Sequence, residues 1–185
     1  MSAAFPRSDH LVRDLVAEFP DFRIAAKRDS RLQRAIDRAL RLVTLGGQDK
    51  YLSHYHTVLW GVLWVPEAWE RMDDLSRYVL LRHERVHLRQ RRRYGDVLMT
   101  FLYLVPFFPL GLAYGRARIE WEAYEETLAA TLETQGLDAV RALEDEIVQR
   151  FTGPDYGWMW PFPQTVRRWF ATALSTVVAS RTESQ

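Results

Sequence analysis

The chain of 185 residues contains no cysteine. This absence excludes disulfide bonds, thiol nucleophiles and thiolate ligands, so a bound metal must be held by His, Asp or Glu side chains. Disulfides are rare in the reducing cytoplasm, and a chain without cysteine fits that compartment. The expected location is therefore the cytoplasm.

A large net charge is missing as well: 25 Lys and Arg side chains stand against 24 Asp and Glu, a formal charge of +1. A nearly neutral chain gives no electrostatic reason to expect a nucleic-acid partner. The N-terminal segment lacks the unbroken apolar stretch of a secretory signal. With 48% hydrophobic and 26% charged residues, the composition is globular, and the length predicts one domain over residues 1–185.

The periodicity of the apolar residues predicts a mainly helical fold with a small β component, an α+β class. The segment YHTVLWGVLWVP, residues 55–66, is rich in β-branched and aromatic side chains and predicts one strand. Helices are predicted where apolar residues recur at helical spacing between capping and breaking residues. Their approximate ranges are 9–19, 31–45, 74–94, 116–135, 138–151 and 164–180. The polar tail, residues 181–185, is expected to be disordered.

No charged residue occurs between Val97 and Tyr114, a stretch close to membrane-spanning length. Pro106 and Pro109 would break a continuous helix there. The favoured interpretation is two short buried segments with a bend between them. Peripheral membrane contact through residues 97–114 stays open as the alternative.

The stretch LLRHERVHLRQRRRYG carries the strongest functional pattern of the sequence. His83 and His87 are four residues apart, so on a helix their imidazoles project from one face about one turn apart. Two nitrogens at this separation can reach one zinc ion at about 2.0–2.1 Å. Glu84 lies about 100° around the helix, where it can reach a water on the metal as a general base. This is the HExxH arrangement of zinc peptidases.

The competing interpretation treats these three residues as ordinary members of a charged helix. On a helical wheel, Val79, Leu80, Val86 and Gln90 fall beside the two histidines. Four arginines fall on the opposite side: Arg82, Arg85, Arg89 and Arg92. The histidine pair is therefore expected to face the interior and the arginines to face solvent, which favours the metal interpretation.

A catalytic zinc needs a third protein ligand, with the fourth position left for water. The segment RARIEWEAYEE supplies four downstream carboxylates at the start of a predicted helix: Glu120, Glu122, Glu125 and Glu126. Glu120 and Tyr124 share one face of that helix, and Glu122 and Glu126 share another. The helical spacing alone leaves the choice among these carboxylates open.

The motif from His83 to His87, followed by Glu120-Trp121-Glu122-Ala123-Tyr124, resembles a small gluzincin metallopeptidase over about residues 55–130. The resemblance implies a minimal zincin-like core with an active-site helix, a glutamate helix and an edge strand or short sheet. Several branches of the gluzincin clan write the second motif as Glu-x-x-Ala-Asp, with its first Glu on the metal. The resemblance therefore implies Glu120 as the third metal ligand, with Glu122 as the runner-up. Tyr124 stands where that motif has Asp. The strand that ends in VP resembles the clan's active-site edge strand, which binds extended substrate.

The expected activity is zinc-dependent hydrolysis of peptide bonds in a peptide or protein substrate. Zn²⁺ lowers the pKa of its bound water in such sites, and Glu84 would move the proton to the leaving amine. Tyr124, Tyr156 and His56 are candidates for a group that donates to the oxyanion or supports the ligands. His54 and His56 are interpreted as ordinary strand-start histidines rather than a second metal site. The alternatives to an enzyme are a catalytically silent, zinc-stabilised interaction module and a membrane-associated module.

Overall fold

The computed structural model describes residues 5–31, 33–35, 37–38, 56–104, 113–153 and 159–183. These residues are mostly helical and include one three-stranded sheet, which confirms the predicted mainly helical class with a small β component. The chain forms two compact units, residues 1–88 and 89–185. The boundary between them falls inside a helix rather than in a linker. The prediction of a single domain therefore stays a prediction.

The first unit combines helices with the sheet. Helix α1 (Pro6–Glu18) is followed by strand β1 (Arg23–Ala26) and a 3-10 turn (Lys27–Asp29), and later by β2 (Thr57–Leu59), β3 (Val62–Val65) and a second 3-10 turn (Glu67–Arg71). The unit ends with the first part of helix α2, which as a whole spans Asp74–Leu104. Its core contains Leu11, Leu15, Phe22, Leu63, Leu81 and Leu88.

The segment predicted as one strand is a hairpin, so that prediction is wrong. Strands β2 and β3 pair antiparallel, with Leu59 opposite Val62 and only Trp60 and Gly61 between them. Both loop residues have positive φ, 51° and 78°, as a type I′ turn requires. Tryptophan rarely adopts this conformation, so the sequence gives a weak turn signal at this position.

Strand β3 is the central strand of the described sheet, because β1 pairs with it in parallel on one side and β2 antiparallel on the other. The strand that ends in VP was expected at an edge, and this expectation is wrong. Since β3 is buried at Val62, Leu63 and Val65, its side chains contribute to the core of the first unit.

Helix α2 begins where the sequence predicts. The backbone N–H and the hydroxyl of Ser76 donate to the Asp73 carboxylate at 2.9 and 2.7 Å, a local cap. These hydrogen bonds lower the pKa of Asp73. The next carboxylate, Asp74, accepts from the backbone and hydroxyl of Ser8 at 2.9 and 2.8 Å. The two consecutive aspartates therefore accept hydrogen bonds from N–H groups in the first turns of two helices, Asp73 from α2 and Asp74 from α1.

Gly95 interrupts α2 with φ 77° and ψ 159°, so the predicted end of the regular helix just before Gly95 is confirmed. Helical structure then resumes to Leu104. The expectation that this apolar stretch is buried is wrong for its described part: Val97 is 86% exposed, Leu98 44% and Phe101 48%. Its second half, residues 105–112, lies outside the described residues. No helix within the described ranges is long and apolar enough to cross a membrane.

The described secondary structure of the second unit consists of helices. After the end of α2 come α3 (Tyr114–Gln135), α4 (Leu137–Ala142), α5 (Glu144–Thr152) and α6 (Pro163–Glu183). Its core includes Trp121, Leu128, Ile147, Phe151, Met159, Val166 and Phe170. Gly136, at φ 86°, follows the end of α3, as the sequence predicts.

Two boundaries in the second unit differ from the prediction. The single helix expected over residues 138–151 is divided at Leu143 into α4 and α5. Helix α6 extends through Glu183, so residues 181–183 of the predicted disordered tail are helical. The guanidinium of Arg181 donates to the carbonyl of Leu132, which supports this last turn.

The helix predicted after Ser30 lies only partly within the described residues. Gln33 donates its backbone N–H to the Ser30 hydroxyl at 3.2 Å, the contact of an N-terminal cap. Residues 31, 33–35 and 37–38 are helical. The rest of that predicted helix lies outside the described residues.

Candidate metal centre

Helix α2 presents His83 and His87 as a pair. The two Nε2 atoms are 3.2 Å apart, and the ring centroids are 4.9 Å apart with the rings at 76°. His87 is buried and His83 is partly buried. The expectation that one helix face carries both imidazoles toward the interior is therefore confirmed.

A buried carboxylate completes the group. Glu120, on α3, is 3% exposed. One ligand atom each from His83, His87 and Glu120 lie within 4.8 Å of one another. These three residues could hold a metal ion, and they are the set that the gluzincin resemblance implies.

The spacing of the two imidazole nitrogens has two physical interpretations. Two nitrogens bound to one tetrahedral ion at about 2.0–2.1 Å lie about 3.3 Å apart, close to the 3.2 Å observed. A hydrogen bond between two neutral imidazoles has a similar length. The carboxylate of Glu120 adds a third side chain of a kind that can bind a metal ion at the same place.

The two candidate glutamates of α3 have different neighbours. Glu122, the runner-up, accepts a hydrogen bond from the side-chain amide of Gln90 at 2.8 Å. The same amide nitrogen donates to the backbone carbonyl of Ile119 at 3.0 Å. Glu120 belongs to the metal-ligand group and Glu122 does not. The helical wheel placed Gln90 beside the histidines, but nothing in the sequence indicated its partners.

Glu84, the predicted general base, is 5% exposed. A buried lysine lies close enough to interact with it electrostatically: Lys27, whose side-chain nitrogen donates to the Thr57 hydroxyl at 2.9 Å. Burial lowers the pKa of Lys27 to about 7, and the negative charges of Glu84 and Asp37 oppose that shift. The first unit therefore places a cationic side chain and the candidate base in the same interior.

Sequence reasoning missed Lys27. Lysine is almost never fully buried unless it has a partner, so composition and periodicity place it on the surface. The only local signal is its position directly after β1, at the start of a 3-10 turn. That signal does not distinguish a buried lysine from a solvated one.

The face of α2 opposite the histidines carries arginines, two of which have hydrogen-bond partners. Arg85 donates to the Glu18 carboxylate at the end of α1 with its Nε at 2.6 Å, and Arg82 donates to the Tyr78 hydroxyl at 2.7 Å. Both arginines are partly buried, whereas Arg89 and Arg92 are exposed. These contacts attach the face of α2 opposite the histidines to neighbouring side chains of the first unit.

The remaining candidates have varied surroundings. Tyr124 is buried with its ring 5.5 Å from Phe151, and its hydroxyl accepts from Arg150 at 3.5 Å. His56 is partly buried, with its ring 6.0 Å from Trp69 in an edge-on contact. Tyr156 and His54 lie outside the described residues. The proposed oxyanion or supporting roles of Tyr124, His56 and Tyr156 stay predictions.

Comparisons of the chain with family models, with curated proteins and with solved structures gave no match. Functional inference therefore depends on the residues and contacts of the molecule itself.

Proposed function

We propose that this protein is a zinc-dependent peptidase of the gluzincin type. The observation that carries the proposal is the group formed by His83, His87 and Glu120, with Glu84 beside the first histidine in the HExxH motif. In this assignment the three side chains are the metal ligands and Glu84 is the general base.

The donor set fits zinc. Two imidazoles and one carboxylate match a catalytic site with three protein ligands and one position left for water. Zinc, when bound in such a site, acts as a Lewis acid and lowers the pKa of its water to about 7. With Glu120 as the only negatively charged ligand, the site keeps a net positive charge that favours a developing oxyanion.

Glu84 supplies the acid–base chemistry in this proposal. Its carboxylate takes a proton from the attacking water and delivers that proton to the leaving amine. The protonated form of Lys27 interacts electrostatically with the Glu84 carboxylate within the first unit.

Substitution of Glu84 by Gln tests the proposal. We expect the Glu84→Gln protein to bind zinc as the native protein does, because residue 84 is not a ligand. Cleavage of a fluorescein-labelled, unstructured protein such as casein should fall by a factor of about 10² to 10⁴. The exposed Glu67→Gln variant is the matched control and should keep native activity. Native cleavage by zinc-loaded Glu84→Gln would contradict the proposal.

The same experiment addresses the non-enzymatic alternative. A catalytically silent, zinc-stabilised module would bind one zinc per chain and gain stability from it. Neither the native protein nor the Glu84→Gln variant would then cleave any substrate offered. Zinc binding without turnover would favour this module over the peptidase.

A second proposal concerns a lipid surface, and the exposed apolar residues after Gly95 favour it. Val97, Leu98 and Phe101 are exposed on α2, shortly after the exposed Arg92 and Arg93. Apolar side chains next to basic ones suit the surface of an anionic bilayer. We propose peripheral contact of this part of α2 with such a surface.

Co-sedimentation with vesicles tests this contact. Vesicles that contain phosphatidylserine should sediment the native protein at low salt, and the double change Val97→Ser with Phe101→Ser should reduce the bound fraction at least several-fold. Vesicles of phosphatidylcholine alone should bind less, because they lack the negative charge. Equal binding of the native protein and the double variant would contradict the proposal.

A further inference from the structure

Gln90 is a buried polar side chain on helix α2. It is 4% exposed and follows His87 by three residues, so it lies about one turn further along nearly the same face of α2. Its amide nitrogen carries two protons, and both have acceptors: the carbonyl of Ile119 at 3.0 Å and the carboxylate of Glu122 at 2.8 Å.

These two acceptors flank Glu120 in the chain. The first hydrogen bond links Gln90 to the backbone of α3, and the second links it to a side chain two residues after Glu120. Together the two bonds restrain the register of the segment of α3 that carries Glu120.

We propose that Gln90 is a positioning residue for the metal centre, which directs Glu120 rather than Glu122 toward the histidine pair. This inference rests on the proposed metal site. A shift of α3 by one residue would rotate the side chains by about 100° and translate them by about 1.5 Å. Such a shift would remove the Glu120 carboxylate from the ligand group.

The competing role is purely structural: a buried amide that satisfies its hydrogen bonds and stabilises the packing of α2 on α3. Both roles predict a loss of stability when Gln90 is changed. Only the positioning role predicts that a change of Gln90 lowers zinc affinity further than a change of a buried polar residue of α3 that has no contact with Gln90. The experiment therefore measures zinc affinity and stability on the same set of variants.

The first test is the Gln90→Met variant, which removes the two N–H donors of the amide and keeps a side chain of similar size. Zinc affinity, measured by competition with a chromophoric chelator, should fall by about 10- to 100-fold, the range for groups that orient metal ligands. Thr131→Val is the control, because Thr131 is a buried polar residue of α3 three turns from Glu120. It should keep native zinc affinity.

The second test exchanges the donor and the acceptor. Gln90→Glu alone places two carboxylates within hydrogen-bond distance and should reduce zinc affinity at least as far as Gln90→Met. In the double variant Gln90→Glu with Glu122→Gln, the new amide at position 122 can donate to the new carboxylate at position 90. Zinc affinity should recover by at least several-fold over the single variant, because the hydrogen bond between positions 90 and 122 is restored.

The outcomes separate this inference from the proposed function. If the native protein binds zinc and Gln90→Met binds it equally tightly, the positioning role is wrong and the metal site stands. Equal losses of affinity in Gln90→Met and Thr131→Val would also overturn it, as would the absence of recovery in the double variant. If the native protein binds no zinc, the metal site fails, and the role of Gln90 fails with it.

Discussion

The two helical segments of α2, before and after the break at Gly95, differ in which of their side chains are buried. Before Gly95, Leu81, Leu88 and His87 are buried, and arginines occupy the other face. After Gly95 there is almost no charge, yet Val97 and Phe101 are exposed. The segment rich in charged residues therefore has buried apolar side chains such as Leu88, whereas the segment rich in apolar residues has exposed ones such as Val97.

This contrast shows which property of a sequence specifies burial. Before Gly95, apolar and charged residues alternate with the period of a helix, so the pattern predicts which face of the helix is buried. After Gly95, apolar residues occur on every side, and no face is specified. Composition alone predicted burial there, and the prediction is wrong for the described residues. Exposed apolar surface of this kind marks a candidate contact surface.

The largest expected effect belongs to the charged interior that the first part of α2 faces. Lys27 has a pKa of about 7 in the folded protein against 10.5 for an ordinary lysine. Between these values the unfolded chain keeps the proton that the folded protein has released. Raising the pH through this window therefore stabilises the fold, by at most about 5 kcal/mol over the whole range.

The Lys27→Met variant isolates this effect, because methionine has a similar length and does not titrate. Urea unfolding of both proteins with chelator present, from pH 7 to pH 10, should show the native protein gaining stability relative to the variant as the pH rises. Below pH 7 the difference should level off. A difference that does not change across this range would mean that Lys27 is solvated.

One identical substitution on each side of Gly95 tests the contrast directly. Leu88 is 2% exposed and Leu98 is 44% exposed. Leu88→Ala should lower the free energy of unfolding by about 2–5 kcal/mol, because it leaves a cavity in the core. Leu98→Ala should change it by no more than about 0.5 kcal/mol. Similar losses in urea unfolding would show that the second part is buried in solution.

A smaller effect is expected at the residue that separates the two parts. Gly95 has φ 77° and ψ 159°, a region that is essentially restricted to glycine. A Cβ at this position would meet no atom within 4 Å, so the cost of Gly95→Ala is backbone strain alone, about 1–3 kcal/mol. Thermal unfolding measures it. A neutral or stabilising result would mean that α2 continues unbroken through residue 95.

Much of the helical structure could be predicted from the sequence because local signals and tertiary structure agree. Helix α2 begins where the sequence predicts, capped by Asp73, and Gly136 follows the end of α3. The HExxH spacing places both histidines on one face. The choice of Glu120 came from a family resemblance, and the ligand group agrees with it. Helical spacing alone did not separate Glu120 from Glu122.

The missed features depend on contacts between residues far apart in the chain. Lys27 is buried against local expectation because its side chain meets Thr57 and the charge of Glu84. Gln90 acquires its role only when Ile119 and Glu122 lie beside it. The hairpin turn at Trp60 was missed because tryptophan at positive φ contradicts its usual preference. The periodicity of the sequence does not indicate these contacts between distant residues.

Zinc stoichiometry at saturating metal shows whether His83, His87 and Glu120 bind one zinc ion. The matched pair is Glu120→Gln and Glu122→Gln, the same change two residues apart on α3. We expect one zinc per chain in the native protein and in Glu122→Gln, and none in Glu120→Gln or His83→Ala. A native protein without zinc, or full zinc in Glu120→Gln, would contradict this expectation.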